Sequence, residues 1–98
     1  MKCFIKIHSQ SKDQVIGVCD ENCLNMHLKQ GKFSYHVSEA FFRGNLISIE
    51  EAIKYLKNSS NFNAVGTNII KALIEAEIIH ADGVLKIKDT PIAIKFIF

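Results

Sequence analysis

The segment at residues 63–76 constrains the fold most, because it is apolar on nearly every side. At helical spacing its hydrophobic side chains cover most of the circumference and leave four polar positions for solvent: Thr67, Asn68, Lys71 and Glu75. The segment predicts a central helix that is covered on more than one side. Asn63 is the predicted N-cap, and Gly66 in the first turn, which costs roughly 1 kcal/mol relative to Ala, indicates close packing there.

Alternating or continuous apolar segments between turns predict strands near both ends of the chain. Residues 2–8 alternate strictly and, after a polar turn at 9–13, the apolar run at 15–19 is a second strand, so the two predict an antiparallel hairpin. Residues 84–88 and the apolar run from Ile92 to Phe98, joined by a tight connection at 89–91, predict a second hairpin.

The middle of the chain predicts two further helices and a strand. Asp20 is an N-cap candidate for a helix that ends near Gly31, and residues 32–37 alternate as a strand does. Residues 38–45 are interpreted as a structured loop. Ser48 and Glu51 have the spacing of a capping box, which begins an amphipathic helix that runs to about Lys57.

The predicted order is β-β-α-β-α-α-β-β, which is typical of a two-layer α+β fold. We expect a mixed or mainly antiparallel sheet with about three helices on one face. With 98 residues and 48% hydrophobic content, the chain has the size of a single domain, residues 1–98, with one core.

Charge and cysteine content limit the classes of function. The apolar runs are shorter than the roughly 20 residues that a membrane helix needs, and lysines interrupt the start of the chain, so we expect a cytoplasmic protein without a membrane partner. The three cysteines are an odd number in a domain large enough for a core, which favours reduced thiols. The net charge of +2 permits a nucleic-acid partner without requiring one.

The cysteines allow two chemical hypotheses, neither of which has a strong motif. Cys19, Cys23 and His27 are four residues apart, and Cys3 on a neighbouring strand offers a fourth zinc ligand, although the spacing is not that of a zinc ribbon or finger. Alternatively, Cys19 is a thiol nucleophile near a helix N-terminus, but the carboxylate of Asp20 would disfavour its thiolate. Ordinary buried thiols are the preferred interpretation, with no catalytic residue, no metal and no cofactor assigned.

The outward face of the predicted sheet is the main candidate for a binding site. Its lysines alternate with an aromatic residue, which suits phosphate contacts and base stacking, as in RNA-binding proteins that use a sheet as a platform. Arg43, which follows two phenylalanines, adds a planar cation, although an ion pair with Glu39 explains it equally well. The RNA-binding hypothesis assigns six residues: Lys2, Phe4, Lys6, Arg43, Lys86 and Lys88.

Two other interpretations stay open. Lysines on the outward face of a sheet often have no partner, so this face is equally typical of a solvated surface. The apolar run from Ile92 to Phe98 also suits an edge strand that pairs with a protein partner or with a second copy of the chain in a homodimer. Asp20, Asn63 and Gly66 are assigned structural roles, and an anion at the helix start near Asn63 is the less favoured alternative.

Several short motifs resemble the archaeal domain of unknown function 424 family. They stand in the family's order along nearly the whole chain: Cys19-Asp20-Glu21, Gly31, Val37-Ser38-Glu39 followed by Phe41-Phe42 and Gly44, Asn63-Ala64-Val65-Gly66, and Thr90-Pro91. Thr67 replaces a glutamate of the family, Ile92 and Ile94 replace a histidine and a glutamine, and Asn25 and Met26 replace a Gly-Lys pair. The resemblance implies an archaeal protein without an established activity.

Small archaeal families of this kind are often attached to translation, an association that rests on analogy. Together with the basic face, it leads to the expectation of an accessory protein that binds RNA or a ribonucleoprotein, the ribosome above all.

Overall fold

A six-stranded, mainly antiparallel sheet forms the centre of the computed structural model, which describes residues 1–10 and 13–96. The strand order is β5-β1-β2-β6-β8-β7, and a separate hairpin, β3-β4, forms a second small sheet. The strands are β1 (Lys2–Gln10), β2 (Asp13–Asp20), β3 (His27–Gln30), β4 (Phe33–His36), β5 (Asn45–Ser48), β6 (Asn61–Val65), β7 (Leu85–Ile87) and β8 (Thr90–Phe96).

Within these residues, three α-helices accompany the sheet: α1 (Glu39–Phe42), α2 (Ile49–Leu56) and α3 (Thr67–Glu75). The α+β class and the mainly antiparallel sheet are therefore confirmed. Both predicted terminal hairpins form, and the tight turn of the second one is at Lys88 and Asp89, whose φ angles are 48° and 67°. Ser48 is also confirmed as the N-cap of α2, since its hydroxyl accepts from the Glu51 N–H at 3.1 Å.

The helix predicted from Asp20 to about Gly31 is wrong. Asp20 ends β2, and a single 3-10 turn, Glu21–Cys23, leads into β3, where buried Leu28 alternates with exposed neighbours. Asn25, with φ of 72°, interrupts any continuous helix. The residues that resembled an inward helical stripe therefore belong to a turn and a half-buried strand.

The start of the predicted central helix is also wrong. Residues 61–65 form β6, which lies parallel to β2, and α3 begins only at Thr67. Asn63 pairs with Ile94 across the sheet and is not an N-cap. In the predicted loop at 38–45, Ser38 caps the short helix α1, and β5 begins at Asn45.

Each face of the large sheet has its own core. The helix-side core lies under α2 and α3 and includes Ile5, Val18, Phe62 and Leu73. The hairpin-side core lies under α1 and β3-β4 and includes Cys19, Phe42, Val65 and Ile92. Two helices thus lie on one face and the third on the other. The face that was expected to be open is partly covered by a second layer.

The apolar run at the end of the chain forms β8 as far as Phe96. Its last two residues, Ile97 and Phe98, lie outside the described residues. The predicted final strand is therefore confirmed for its described part.

Asp20 connects the sheet to the start of α3. Its carboxylate oxygens accept from the main-chain N–H groups of Asn68, at 2.8 Å, and Ile69, at 2.9 Å. Asp20 is 3% exposed, and burial raises the pKa of its carboxyl, while these two hydrogen bonds act in the opposite direction. Gly66 has φ of 125°, and a Cβ there would overlap the Asp20 carboxyl group, so the predicted close approach at Gly66 is confirmed.

We expect Asp20→Ala to lower the free energy of unfolding by about 1–3 kcal/mol, because two main-chain donors at the start of α3 lose their acceptor. Chemical denaturation monitored by circular dichroism measures this change. Glu21→Ala, which removes the neighbouring exposed carboxylate, is the matched control and should change stability by less than about 0.5 kcal/mol. Equal effects of the two variants would contradict the capping role.

Candidate functional site

Asp20 already occupies the N-terminus of α3, the place where the sequence suggested a bound anion. The free N–H groups of a helix start attract negative charge, and here the chain itself supplies it. The Gly66 N–H also donates to the Pro91 carbonyl at 3.0 Å, so three of the segments that carry the family resemblance meet at this point. These contacts hold the start of α3 against the sheet, so a structural role explains why the three segments meet.

The three thiols are buried and electrostatically disfavoured as thiolates. Burial raises the pKa of Cys3 and of Cys19 to about 12, and that of Cys23 to about 11, and the nearby Asp20 carboxylate contributes to each shift. His27, the histidine of the zinc hypothesis, is on the exposed side of β3. Within residues 1–10 and 13–96, no group of three or more His, Cys, Asp or Glu side chains is placed to hold a metal ion.

The residues assigned to RNA binding do not share one surface. Phe4 is half-buried and packs against the hairpin-side core. Lys2 lies beside Asp20 and Glu21 at the edge of a shallow depression. Lys86 lines a groove against α3, on the opposite face of the sheet from Phe4. The structure therefore divides the predicted platform into at least two regions.

Lys6 and Arg43 lie around α1. The Lys6 ammonium donates to the Ala40 carbonyl at 2.9 Å, and Arg43 forms an ion pair with Glu39 at 3.0 Å. The Glu39 carboxylate also accepts from Asn25 at 2.9 Å, and these hydrogen bonds, together with the charge of Arg43, lower the pKa of the Glu39 carboxyl. The ion-pair interpretation of Arg43 is thus confirmed. Both cations stay partly exposed.

Exposed lysines also lie near the point where the turns of two hairpins meet. The Lys88 N–H, in the β7-β8 turn, donates to Oε1 of Gln30, which precedes the β3-β4 turn, at 2.7 Å. This bond joins the two turns, and β3 contacts β7 beside it. We call this region the two-hairpin corner; it has four exposed lysines and one exposed aromatic ring: Lys29, Lys32, Phe33, Lys86 and Lys88. They are carried on different faces, because Lys29 and Phe33 lie on opposite sides of β3-β4 and Lys86 lies on the α3 side of the large sheet.

Phe33 is the exposed aromatic residue of the two-hairpin corner. It pairs with Gln30 next to the turn of β3-β4, and 61% of its surface is exposed. Phe42 and Phe62 fill the cores on the two faces of the sheet, whereas most of the Phe33 side chain lies outside them. The corner thus combines cations with a ring face that stays available for contact.

The sequence interpretation did not assign Lys29, Lys32 or Phe33 to a binding site. It placed Lys29 in a helix, and it placed Lys32 and Phe33 in a strand at 32–37 that it did not connect with the basic face. A usable signal was present: Gly31-Lys32 stands between two short alternating segments, and Gly31 has φ of 61°. Two residues beginning with Gly between alternating segments are typical of a β-hairpin turn.

A second exposed surface is apolar. Leu85 is 48% exposed, Ile94 63% and Phe96 60%. Ile94 and Phe96 follow buried Ile92 at alternate positions on β8, and Leu85 pairs with Ile92 from β7. β7 pairs with Thr90 to Ile92 only, so in the described part of the chain no strand lies along the outer side of β8 at residues 93–95. We call this surface the β8 patch: Leu85, Ile94 and Phe96.

The fold and these surfaces define a small α+β protein with exposed basic and apolar surfaces and buried thiols. Residues 7–98 match the model of the family described as protein of unknown function (DUF424), and the chain belongs to that family. No curated protein matches the chain. An uncharacterised conserved protein from Methanopyrus kandleri, known from a crystal structure, has a similar fold, with a TM-score of 0.74 and 21% identity over 96% of this chain and 90% of that one. In the described residues, no helix is long and apolar enough to cross a membrane.

We expect the three thiols of the folded protein to react with iodoacetamide at pH 8 at least about a hundredfold more slowly than in denaturant. Each pKa unit lowers the thiolate fraction tenfold, and burial also blocks access. Mass spectrometry after timed quenching measures the rates. A Ser34→Cys variant provides an exposed thiol as the control. Rapid labelling of Cys19 in the folded protein would support the nucleophile hypothesis instead.

Proposed function

We propose that this protein binds RNA through the two-hairpin corner, as a cytoplasmic accessory protein of a ribonucleoprotein, with the ribosome as the expected particle. The observation that carries the proposal is the hydrogen bond between the Lys88 N–H and the Gln30 side chain, because it holds together the turns of two separate hairpins that carry exposed lysines. The proposal keeps Lys86 and Lys88 from the sequence-based hypothesis and adds Lys29, Lys32 and Phe33.

Electrostatics supports the lysines as phosphate contacts. Lys29, Lys32, Lys86 and Lys88 are all exposed, and Asp89 in the β7-β8 turn is the neighbouring carboxylate. Four phosphate contacts to a single strand release counterions with a salt slope of roughly −3, from about −0.7 per contact. The binding would therefore weaken steeply with salt.

Phe33 supports single-stranded RNA as the ligand. An exposed ring beside cations offers a stacking surface, and stacking on an aromatic side chain contributes about 1–3 kcal/mol per base without a strong sequence preference. In duplex RNA the bases are already stacked on one another, so few base faces are available to stack on Phe33. We infer loops or single-stranded segments as the target.

We expect Lys32→Gln with Lys88→Asn to reduce the salt slope of RNA binding by about 1.4, since two phosphate contacts are lost. Asn is chosen because position 88 has a positive φ, which Asn tolerates. Filter binding to ribosomal RNA at about 50 and about 200 mM salt measures the slope. Phe33→Leu should weaken binding about fivefold or more without changing the slope.

The matched control is Lys54→Gln with Lys57→Gln, which removes two exposed lysines from α2 and its C-cap, near the opposite edge of the sheet. It should leave both affinity and slope unchanged. Lys6→Gln with Arg43→Gln tests the two sequence-predicted cations that lie around α1. Loss of RNA binding in that variant alone would contradict the proposal that RNA binds at the two-hairpin corner, and would place the interface beside α1. Absence of salt-dependent binding in the unmodified protein would exclude the function.

The β8 patch supports a second candidate function, protein interaction, with a second copy of the chain as the partner. The outer side of β8 at residues 93–95 offers main-chain groups, and in a two-fold dimer the exposed apolar side chains of the patch would pack against their own copies. The small net charge of +2 opposes such pairing only weakly.

For this second candidate, we expect a dimer in sedimentation velocity that Ile94→Asp converts to a monomer, because a buried carboxylate would be unpaired in the interface. Leu46→Asp, at an apolar residue that is 40% exposed on the other edge of the sheet, is the control and should leave the dimer intact. A monomer at high concentration, together with no partner recovered by pulldown, would exclude this function.

A further inference from the structure

The two stacked histidines on the outward face of the β3-β4 hairpin have no role in the cores or in the two-hairpin corner. His27 and His36 are directly opposite one another across the strands. Their ring centroids are 4.0 Å apart, and the ring planes differ by 8°. Both residues are exposed, whereas Leu28 and Tyr35, which alternate with them, face the hairpin-side core.

The backbone holds this pair at close range. The Val37 N–H donates to the Met26 carbonyl at 2.9 Å, so the next pair along the ladder is a hydrogen-bonded one. His27 and His36 therefore form a non-hydrogen-bonded pair, the type in which opposite side chains approach most closely. A further bond, from the Asn25 N–H to the Val37 carbonyl at 2.7 Å, fixes this end of the hairpin.

We propose that His27 and His36 chelate a divalent transition-metal ion of the zinc, nickel or copper class. Two imidazole nitrogens bound to one such ion at about 2.0–2.1 Å are about 3.3 Å apart at a tetrahedral angle. Imidazole binds a metal through a lone pair in its ring plane, so both rings must rotate out of the stacked arrangement until one nitrogen of each points at the ion. Both side chains are exposed on the outward face of the hairpin, where such rotation is open to them. Neutral imidazole is a preferred ligand for these metals.

The surroundings define the kind of site. No third His, Cys, Asp or Glu side chain joins the pair within the described residues, so water or a donor from a partner completes the coordination. Lys29 projects from the same face two residues further along β3, and its charge opposes a cation. The site thus differs from a closed structural zinc site and from the set of buried cysteines considered above. It is an exchangeable two-histidine site with open coordination positions.

Calorimetric titration of the tag-free protein with zinc chloride, nickel chloride and copper chloride tests this proposal. We expect one ion per chain, with copper bound more tightly than nickel or zinc, as the general affinity order for nitrogen ligands requires. His27→Asn and His36→Asn should each weaken binding about tenfold or more, because a single imidazole cannot chelate.

His80→Asn removes an exposed histidine elsewhere on the surface and is the matched control, which should bind as the unmodified protein does. Circular dichroism spectra of the metal-free variants should match the spectrum of the unmodified protein, which checks that the variants keep the fold. No binding to the unmodified protein, or binding that persists in His27→Asn and His36→Asn, would overturn the proposal. The test does not involve RNA, so its outcome is independent of the proposed function.

Discussion

The arrangement of this fold depends on the carboxylate of Asp20 and the two main-chain N–H groups that it holds at the start of α3. Asp20 ends β2, and α3 follows β6, so this contact connects the two strands that form the parallel pair of the sheet. Because Gly66 lets the backbone pass against the carboxyl group, the helix lies close over the sheet. The helix-side core between α2, α3 and the sheet is positioned by this contact.

Local signals in the sequence predicted the elements whose cause is local. The alternation in β1, the apolar run of β2 after a polar turn and the Ser48 N-cap each involve neighbouring residues, and these three predictions are confirmed. The prediction for residues 61–65 was wrong, because a short run that is apolar on both faces cannot be assigned to a buried strand or a buried helix from its periodicity alone. The assignment is decided by β2 and β8 on either side, which are distant in sequence.

The helix predicted after Asp20 was wrong for a related reason. A carboxylate before an apolar stripe is the usual start of a helix, and nothing in the local sequence indicates that its oxygens serve a helix 48 residues away. The error then concealed the β3-β4 hairpin, and with it Lys29, Lys32 and Phe33. The candidate site was predicted only at Lys86 and Lys88, since the bond that assembles it connects residues 58 positions apart.

The hydrogen bond between Gln30 and Lys88 also determines when the corner can exist. Chains are synthesised from the N-terminus, and domains generally fold as units during or after synthesis. The β3-β4 hairpin leaves the ribosome early, but its partner turn at Lys88 and Asp89 follows only after most of the chain has been made. A nascent chain therefore carries the lysines of one hairpin without the other, and the complete basic surface marks a molecule whose synthesis has passed Thr90.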